Sequence, residues 1–194
     1  MSERDSPDDG EAVYAVVLDY LPHGRTEDER PQYQKSPVAF ALGERDFRLF
    51  ELAVDVDAGV SIADRVVVEP SDQREGILDS NEIDFEDLSS AARSELEYAI
   101  DEIIEADEDR FVDVFNEAGP ITLRLHQLNL LPGIGKKLRN NVLEERKRKP
   151  FESFADIEDR VSGLHDPEGV LAERIIEEIR EEDLKYRIFA DRSE

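Results

Sequence analysis

Between Glu11 and Leu21 the chain carries Val13-Tyr14-Ala15-Val16-Val17-Leu18, apolar on both faces and rich in β-favouring residues. Such a run suits a strand in a closed or sandwiched sheet better than one with a wet face. Pro22 to Pro37 holds three prolines, a glycine and many charges, which predicts a long loop. Val38-Ala39-Phe40-Ala41-Leu42 predicts a second strand, ended by a turn at Gly43-Glu44. Asp46 to Val56 alternates, with Phe47 and Leu49 on one face and Phe50, Leu52 and Val54 on the other. A turn at Asp57-Ala58-Gly59 and a strand at Arg65-Val66-Val67-Val68 follow, before Pro70. Four or five short strands in about seventy residues predict a small β-barrel or sandwich.

After Leu88 the period changes from two to 3.6. Leu96, Ile100, Ile103 and Ile104 fall on one helical stripe, with Glu95, Glu97, Asp101, Glu102 and Glu105 left to face water. Phe111 to Ala118 predicts a second helical piece, stopped by Gly119-Pro120. Thr122 is placed to cap a helix over Leu123 to Leu130, and Gly135 to Lys147 predicts the next helix, ended by Pro150. Ser153 and Asp156 resemble a capping box for Phe154 to Val161. Pro167 opens a last helix carrying Val170, Leu171, Ile175, Ile176 and Ile179, and Lys185 to Phe189 suits a docked extended segment whose partner the sequence does not name. The pattern is α+β, β first and α second. The divisions expected are a disordered lead at 1–10, a β-domain at 11–82, connecting helices at 83–120, a helical domain at 121–182 and a tail at 183–194.

Charge changes the picture next. The 194 residues hold 49 Asp+Glu against 24 Lys+Arg, a formal charge of −25. A chain this acidic repels a phosphate backbone on average. The distribution is uneven, however. Residues 1–120 carry 33 acidic against 10 basic residues and residues 151–194 carry 14 against 6, whereas residues 121–150 carry 8 basic against 2 acidic. Lysine is rare, at Lys35, Lys136, Lys137, Lys147, Lys149 and Lys185, and four of the six lie in the basic island. Dispersed carboxylates with little lysine resemble the proteome-wide adaptation of extreme halophiles, in which case the global charge reports habitat and the island is the exception to it. Cysteine is absent, which excludes disulfides and thiolate metal sites. No apolar run approaches the ~20 residues of a membrane span, and the polar, acidic Met1 to Gly10 is unlike a secretory signal. A cytoplasmic protein without a membrane partner is expected.

Inside the island lies Leu130-Leu131-Pro132-Gly133-Ile134-Gly135-Lys136-Lys137. Gripping a phosphate without sequence preference requires free backbone N–H groups, close approach and positive charge. The start of a helix supplies the amides and a favourable dipole. Gly133 and Gly135 remove the Cβ atoms that would hold a ligand away, and they permit positive φ in the turn. Lys136 and Lys137 oppose the helix dipole by a few tenths to ~1 kcal/mol, so an anion is the natural reason for them. Arg139 falls at the same end. Arg146-Lys147-Arg148-Lys149 closes the helix, where cations also stabilise the C-terminus without any ligand.

This turn, after a short leucine-rich helix, looks like the helix-hairpin-helix motif of DNA-repair and RNA-binding proteins. The resemblance implies that the amides of Gly133, Ile134, Gly135, Lys136 and Lys137 contact phosphates, with a monovalent cation, K+ or Na+, held by turn carbonyls. No other cofactor is expected. Such modules come in pairs, and the matching turn here is Ser162-Gly163-Leu164-His165-Asp166-Pro167-Glu168-Gly169. It lacks Gly-x-Gly-Lys and carries acids, so it is expected to be a structural partner. The longer order Ile83-Asp84-Phe85-Glu86-Asp87-Leu88, Arg110-Phe111-Val112, Ala118-Gly119-Pro120-Ile121-Thr122, Arg124-Leu125-His126-Gln127-Leu128 and Lys149-Pro150-Phe151-Glu152-Ser153-Phe154 resembles an archaeal family, domain of unknown function 655, here of haloarchaeal type. That resemblance implies an OB-like N-terminal barrel followed by helix-hairpin-helix, and nucleic-acid binding.

OB barrels bind single strands by stacking bases on exposed aromatics. Most of Tyr14, Phe40, Phe47 and Phe50 suit a core, whereas Tyr33, in the polar loop, suits a contact. His23, His126 and His165 are isolated without metal-ligand spacing, and His126 suits packing or capping. The acids from Asp101 to Asp109 suit a wet helical face better than a divalent site. No P-loop or nucleophile elbow is present. The sequence therefore points to a non-catalytic binder of nucleic acid, RNA ahead of DNA by analogy with RNA-handling modules. Its expected contacts are Tyr33, Gly133, Ile134, Gly135, Lys136, Lys137, Arg139, Arg146, Lys147, Arg148 and Lys149. The alternative is a protein-interaction adaptor on a ribosomal or repair complex.

Overall fold

The computed structural model describes residues 11–190; the lead expected at 1–10 and the last four tail residues lie outside the described residues. The chain divides into two compact units at Leu96/Glu97. That division falls inside the helix Ser90–Ala106.

The first unit is a curled, antiparallel, five-stranded half-barrel. Its strands are β1 (Val13–Leu21), β2 (Val38–Gly43), β3 (Leu49–Val54), β4 (Arg65–Glu69) and β5 (Ile77–Ile83). They are ordered β4-β1-β2-β3-β5. Register shifts in β1 at Val17/Asp19 and in the β3–β5 pair at Ala53/Val54 add local twist to the sheet. The concave core gathers Ala15, Val17, Ala39, Ala41, Phe50, Leu52, Val54 and Val68. Phe40 and Leu42, alternating with Ala39 and Ala41 along β2, are also buried, which explains why this strand has no polar face. Phe47, read from the sequence as the start of a strand, instead takes a positive φ of 54° in the turn before β3. β5 carries no clear signal in the sequence. Its residues Leu78, Asp79, Asn81 and Glu82 are exposed, as suits an edge strand whose pairing comes from backbone alone.

The helices are α1 (Ser90–Ala106), α2 (Glu108–Glu117), α3 (Lys136–Arg148), α4 (Phe154–Arg160) and α5 (Pro167–Arg180). In the second unit Ile100, Ile103, Ile104, Phe111, Phe115, Leu128, Ile134, Val142, Ile157, Leu171 and Ile175 are buried, so the stripe read from the sequence does face a core. Ser153 caps α4 as expected, its hydroxyl accepting from Asp156 N at 3.0 Å. A second expectation fails. Leu123 to Leu130 is not an α-helix; only Gln127–Leu130 forms a 3₁₀ turn. Thr122 Oγ1 accepts from the amides of Arg124 and Leu125, and Leu125 O accepts from those of Ile121 and Thr122. These local bonds take up the donors a helix would use.

The tail is docked, and its partner is α5. Glu178 of α5 is fully buried and accepts the amides of Ile188, Phe189 and Ala190 at 2.7, 2.8 and 2.9 Å. Arg174 Nε completes its coordination at 2.9 Å and Arg174 Nη2 donates to Tyr186 O at 2.7 Å. Removing one partner of such a buried pair costs about 3–5 kcal/mol, because a bare charge is left behind.

Candidate nucleic-acid interface

The segment before the turn is fixed first. His126, only 8% exposed, is the N-cap of the 3₁₀ turn, with Nδ1 accepting from Leu128 N at 3.1 Å. Burial, and then the nearby Arg146 and Arg139, hold its pKa below the ordinary histidine value, so the ring is neutral as that acceptor role requires. Leu128 and Leu131 enter the core and Ile134 follows them. Ile134 N donates to Leu131 O at 3.2 Å, closing the turn.

Two glycines in this turn have different reasons. Gly133 adopts φ +77°, which favours glycine on backbone grounds alone. Gly135 has φ −86° and ψ −170°, a conformation open to any residue, and a Cβ added there would meet nothing within 4 Å. Nothing inside the protein requires glycine at 135. Gly135 is also the N-cap of α3 and offers no side-chain acceptor to the first-turn amides. The result is an exposed, uncapped start of a thirteen-residue helix with free space in front of it.

The basic island sorts into committed and uncommitted charges. Arg146 turns inward and donates to Phe115 O and Ala118 O at 3.0 and 2.7 Å, holding the end of α2. Arg148 pairs with Glu145 at 3.3 Å and Lys149 with Glu152 at 3.1 Å. Lys136, Lys137 and Lys147 are exposed, and among the described residues none has a carboxylate partner within ion-pair distance. Arg139 is held by Asn129 and Asn140, both neutral. The uncommitted charge is thus concentrated at the glycine end of α3.

The turn forms one wall of a groove of about 850 Å³, whose opposite wall is α5. That wall alternates Glu173, Glu177 and Glu181 with Arg174 and Arg180. A polyanion is repelled by these acids, so the approach with least opposition is from the solvent side of Gly133 and Gly135.

In the half-barrel Arg25, Arg30 and Arg48 are engaged by the chain's own acids. Arg25 pairs with Glu51 and lies over the Phe40 ring. Arg30 pairs with Asp28, whose carboxyl it holds down at about 2. Arg48 pairs with Asp46 at 2.6 Å and lies over Phe50. Phe40, Phe47 and Phe50 are core. Tyr14 is covered by the Arg65 guanidinium, 3.5 Å from its centroid. Tyr33, 84% exposed in a short 3₁₀ turn at Gln32–Gln34, is the one of these aromatics presented to solvent. Two residues that matter to the geometry escaped the sequence reading, Asn129 and Asn140. An isolated asparagine carries no motif, and only the spacing of ten residues across a turn brings Asn129 to Arg139.

The family described as "Protein of unknown function (DUF655)" matches residues 11–191. The chain belongs to this family. An uncharacterized protein of Methanocaldococcus jannaschii is 38% identical over 177 residues, covering 91% of this chain and 78% of that protein. A crystal structure of a DUF655 protein from Archaeoglobus fulgidus is similar at 42% identity with a TM-score of 0.85, covering 92% of this chain and 99% of that one. The relatives are archaeal, and the solved fold extends over both units. Among the described residues no helix is long and apolar enough to cross a membrane, and no group of acids and histidines is arranged to hold a metal ion.

Proposed function

We propose that this protein binds nucleic acid, RNA ahead of DNA, by gripping the phosphate backbone with the Gly133-Ile134-Gly135-Lys136-Lys137 turn of a helix-hairpin-helix module. The observation that carries this reading is Gly135. It has no conformational or packing reason to be glycine, and it leaves the start of α3 uncapped and open. A phosphate oxygen is the ligand that this arrangement of amides and dipole suits, and Lys136 and Lys137 add charge where a helix alone would not want it. The half-barrel supports the module reading: β4 and β5 form the two edges of the strand order, as in a five-stranded, partly open OB barrel. Tyr33 is its proposed stacking contact. The chain is read as non-catalytic and of haloarchaeal type.

The K+ or Na+ implied by this motif fits the residues present. Leu131 O accepts Ile134 N–H, Ile134 O accepts Asn129 Nδ2, and each carbonyl keeps a second lone pair. The turn carbonyls would hold the ion, which would add positive charge beside the amides.

The test is Gly135→Val, measured by fluorescence anisotropy with labelled mixed-sequence RNA and DNA in molar KCl and in dilute salt. Its Cβ meets no protein atom, so thermal stability should hold while affinity falls more than about tenfold, the scale on which 1.4 kcal/mol is lost. Affinity equal to the wild type would overturn the phosphate-grip reading. A partner that survives nuclease treatment, with no affinity for either nucleic acid, would favour a protein adaptor instead.

A further inference from the structure

Arg139 differs from the ion-paired arginines in what holds it, and from Arg74, Arg93 and Arg146, which donate to backbone carbonyls, in that its acceptors are side-chain amides. Arg30, Arg45, Arg48, Arg65, Arg148, Arg160 and Arg174 each lie within ion-pair distance of a carboxylate. Arg139 does not. Its Nη1 donates to Asn129 Oδ1 at 3.0 Å, and its Nε and Nη2 share Asn140 Oδ1 at 3.3 Å each. Acids outnumber bases 49 to 24 in this chain, so a half-buried guanidinium set between two carboxamides is the less expected outcome. A carboxylate would hold Arg139 at least as firmly, since charge-assisted bonds are the stronger ones. It would also cancel the charge. An amide oxygen orients the fork and leaves it cationic.

Asn129 does two further things. Its Nδ2 donates to Ile134 O at 3.2 Å, inside the hairpin turn, and its Oδ1 also accepts His126 N at 3.3 Å. One side chain thus ties the segment before the turn, the turn itself and the Arg139 head. Of the guanidinium's five donors, three are directed at the two asparagines, and the others remain for a ligand.

We propose that Asn129 and Asn140 are positioning residues that hold Arg139 as a charge-preserving arm of the phosphate site, so that a phosphodiester gripped by the turn amides also receives a planar guanidinium. This rests on the hairpin reading above. The ligand chemistry is specific: two free N–H groups on a planar fork suit two oxygens of one phosphate.

The test uses Asn140→Asp in the full chain. The substitution is isosteric, lies on the exposed side of α3, and gives Arg139 an ion-pair partner. Binding of a fluorescein-labelled mixed-sequence RNA is read by anisotropy across a KCl series, beside thermal melts. Asn140→Asp should weaken binding about fivefold and flatten the salt slope by about one charge, ≈ 0.7–0.9, with the melting temperature unchanged or raised. Arg139→Gln should weaken binding to the same degree, and adding Asn140→Asp to it should cost little more. Asn129→Asp should follow Asn140→Asp in binding. Wild-type affinity in both aspartate variants would overturn the proposal, and so would full additivity of Asn140→Asp with Arg139→Gln, since that marks direct repulsion of the ligand. If Gly135→Val abolishes binding while both aspartate variants bind as wild type, the positioning role fails and the hairpin reading stands. If Gly135→Val binds as wild type, both fail.

Discussion

The turn at Leu131–Lys136 and the turn at Val161–Asp166 share one backbone design and differ in what faces the helix that follows. In each, a buried aliphatic residue donates its amide to the carbonyl three residues earlier, Ile134 to Leu131 and Leu164 to Val161, both at 3.2 Å. In each, the glycine between them has positive φ, +77° at Gly133 and +93° at Gly163. Beyond that point they diverge. The N-cap of α5 is Asp166, whose Oδ1 accepts Gly169 N at 3.1 Å. The N-cap of α3 is Gly135, with no side-chain acceptor at all. The second helix start holds an anion that belongs to the protein, and the first leaves the same place empty. Their surroundings follow suit. Glu168 sits among Glu105, Glu108, Asp166 and Asp101, and burial together with those neighbours raises its pKa above the ordinary value. Lys136, Lys137 and Arg139 surround the first helix start. A repeated fold element has been used once for stability and once, on the reading proposed here, for a ligand.

The largest test of that contrast is to convert one turn into the other. Gly135→Asp gives α3 an N-cap carboxylate, the role that Asp166 plays one residue further on at the start of α5, on a backbone already in the extended N-cap region. Binding should fall more than about tenfold, while stability rises by about 1 kcal/mol, or about 2–4 °C in melting temperature. Opposite signs in the two measurements are the signature; a binding-competent Gly135→Asp would break the comparison. Next in size is charge reversal at the two ends of α3. Lys136→Glu with Lys137→Glu should weaken binding alike for all sequences and lower the salt slope by about 0.7–0.9 per charge. Arg148→Glu with Lys149→Glu, whose wild-type charges are already met by Glu145 and Glu152, should do distinctly less. Equal losses at both ends would show that the island acts only through its total charge.

On the second turn, Asp166→Ala should lower stability by about 1 kcal/mol through the lost cap, seen as a drop of about 2–4 °C, and leave binding unchanged. The smallest effect is Glu168→Gln. Glu168 has a raised pKa in the folded state, so the native protein holds this proton more tightly than the unfolded chain. Its contribution to stability therefore declines as pH rises through the folded pKa. Glu168→Gln should stabilise slightly at pH 7 in dilute buffer, and the gain should vanish near pH 4 and shrink in molar KCl as repulsion is screened.

Much of this was legible in the chain. The apolar runs of β1 and β2, the 3.6-residue stripe of α1, the cap at Ser153 and the start of α5 at Pro167 are local patterns, and the helices and strands they predict are present. β5 was hidden because an edge strand can be polar on both sides, and the helix expected at Leu123 was displaced by side-chain and turn bonds that cost the sequence only a single threonine. The basic island was visible as composition, but not its internal division. Lys147 and Arg146 are neighbours in sequence, yet one faces water and the other binds the carbonyls that end α2.

The sequence by itself determined the class of the protein, β then α, and the presence of one glycine-rich basic turn in an acidic chain, because both depend on residue type and short-range spacing. Only the tertiary structure decided which charges are spent on the protein's own groups and which are left. It also decided that Gly135 answers to no internal constraint and that Arg139 rests on amides rather than acids. Those facts depend on what packs within a few ångströms of a side chain, and residues such as Asn129 and Arg139, or Phe115 and Arg146, meet only once the chain has folded.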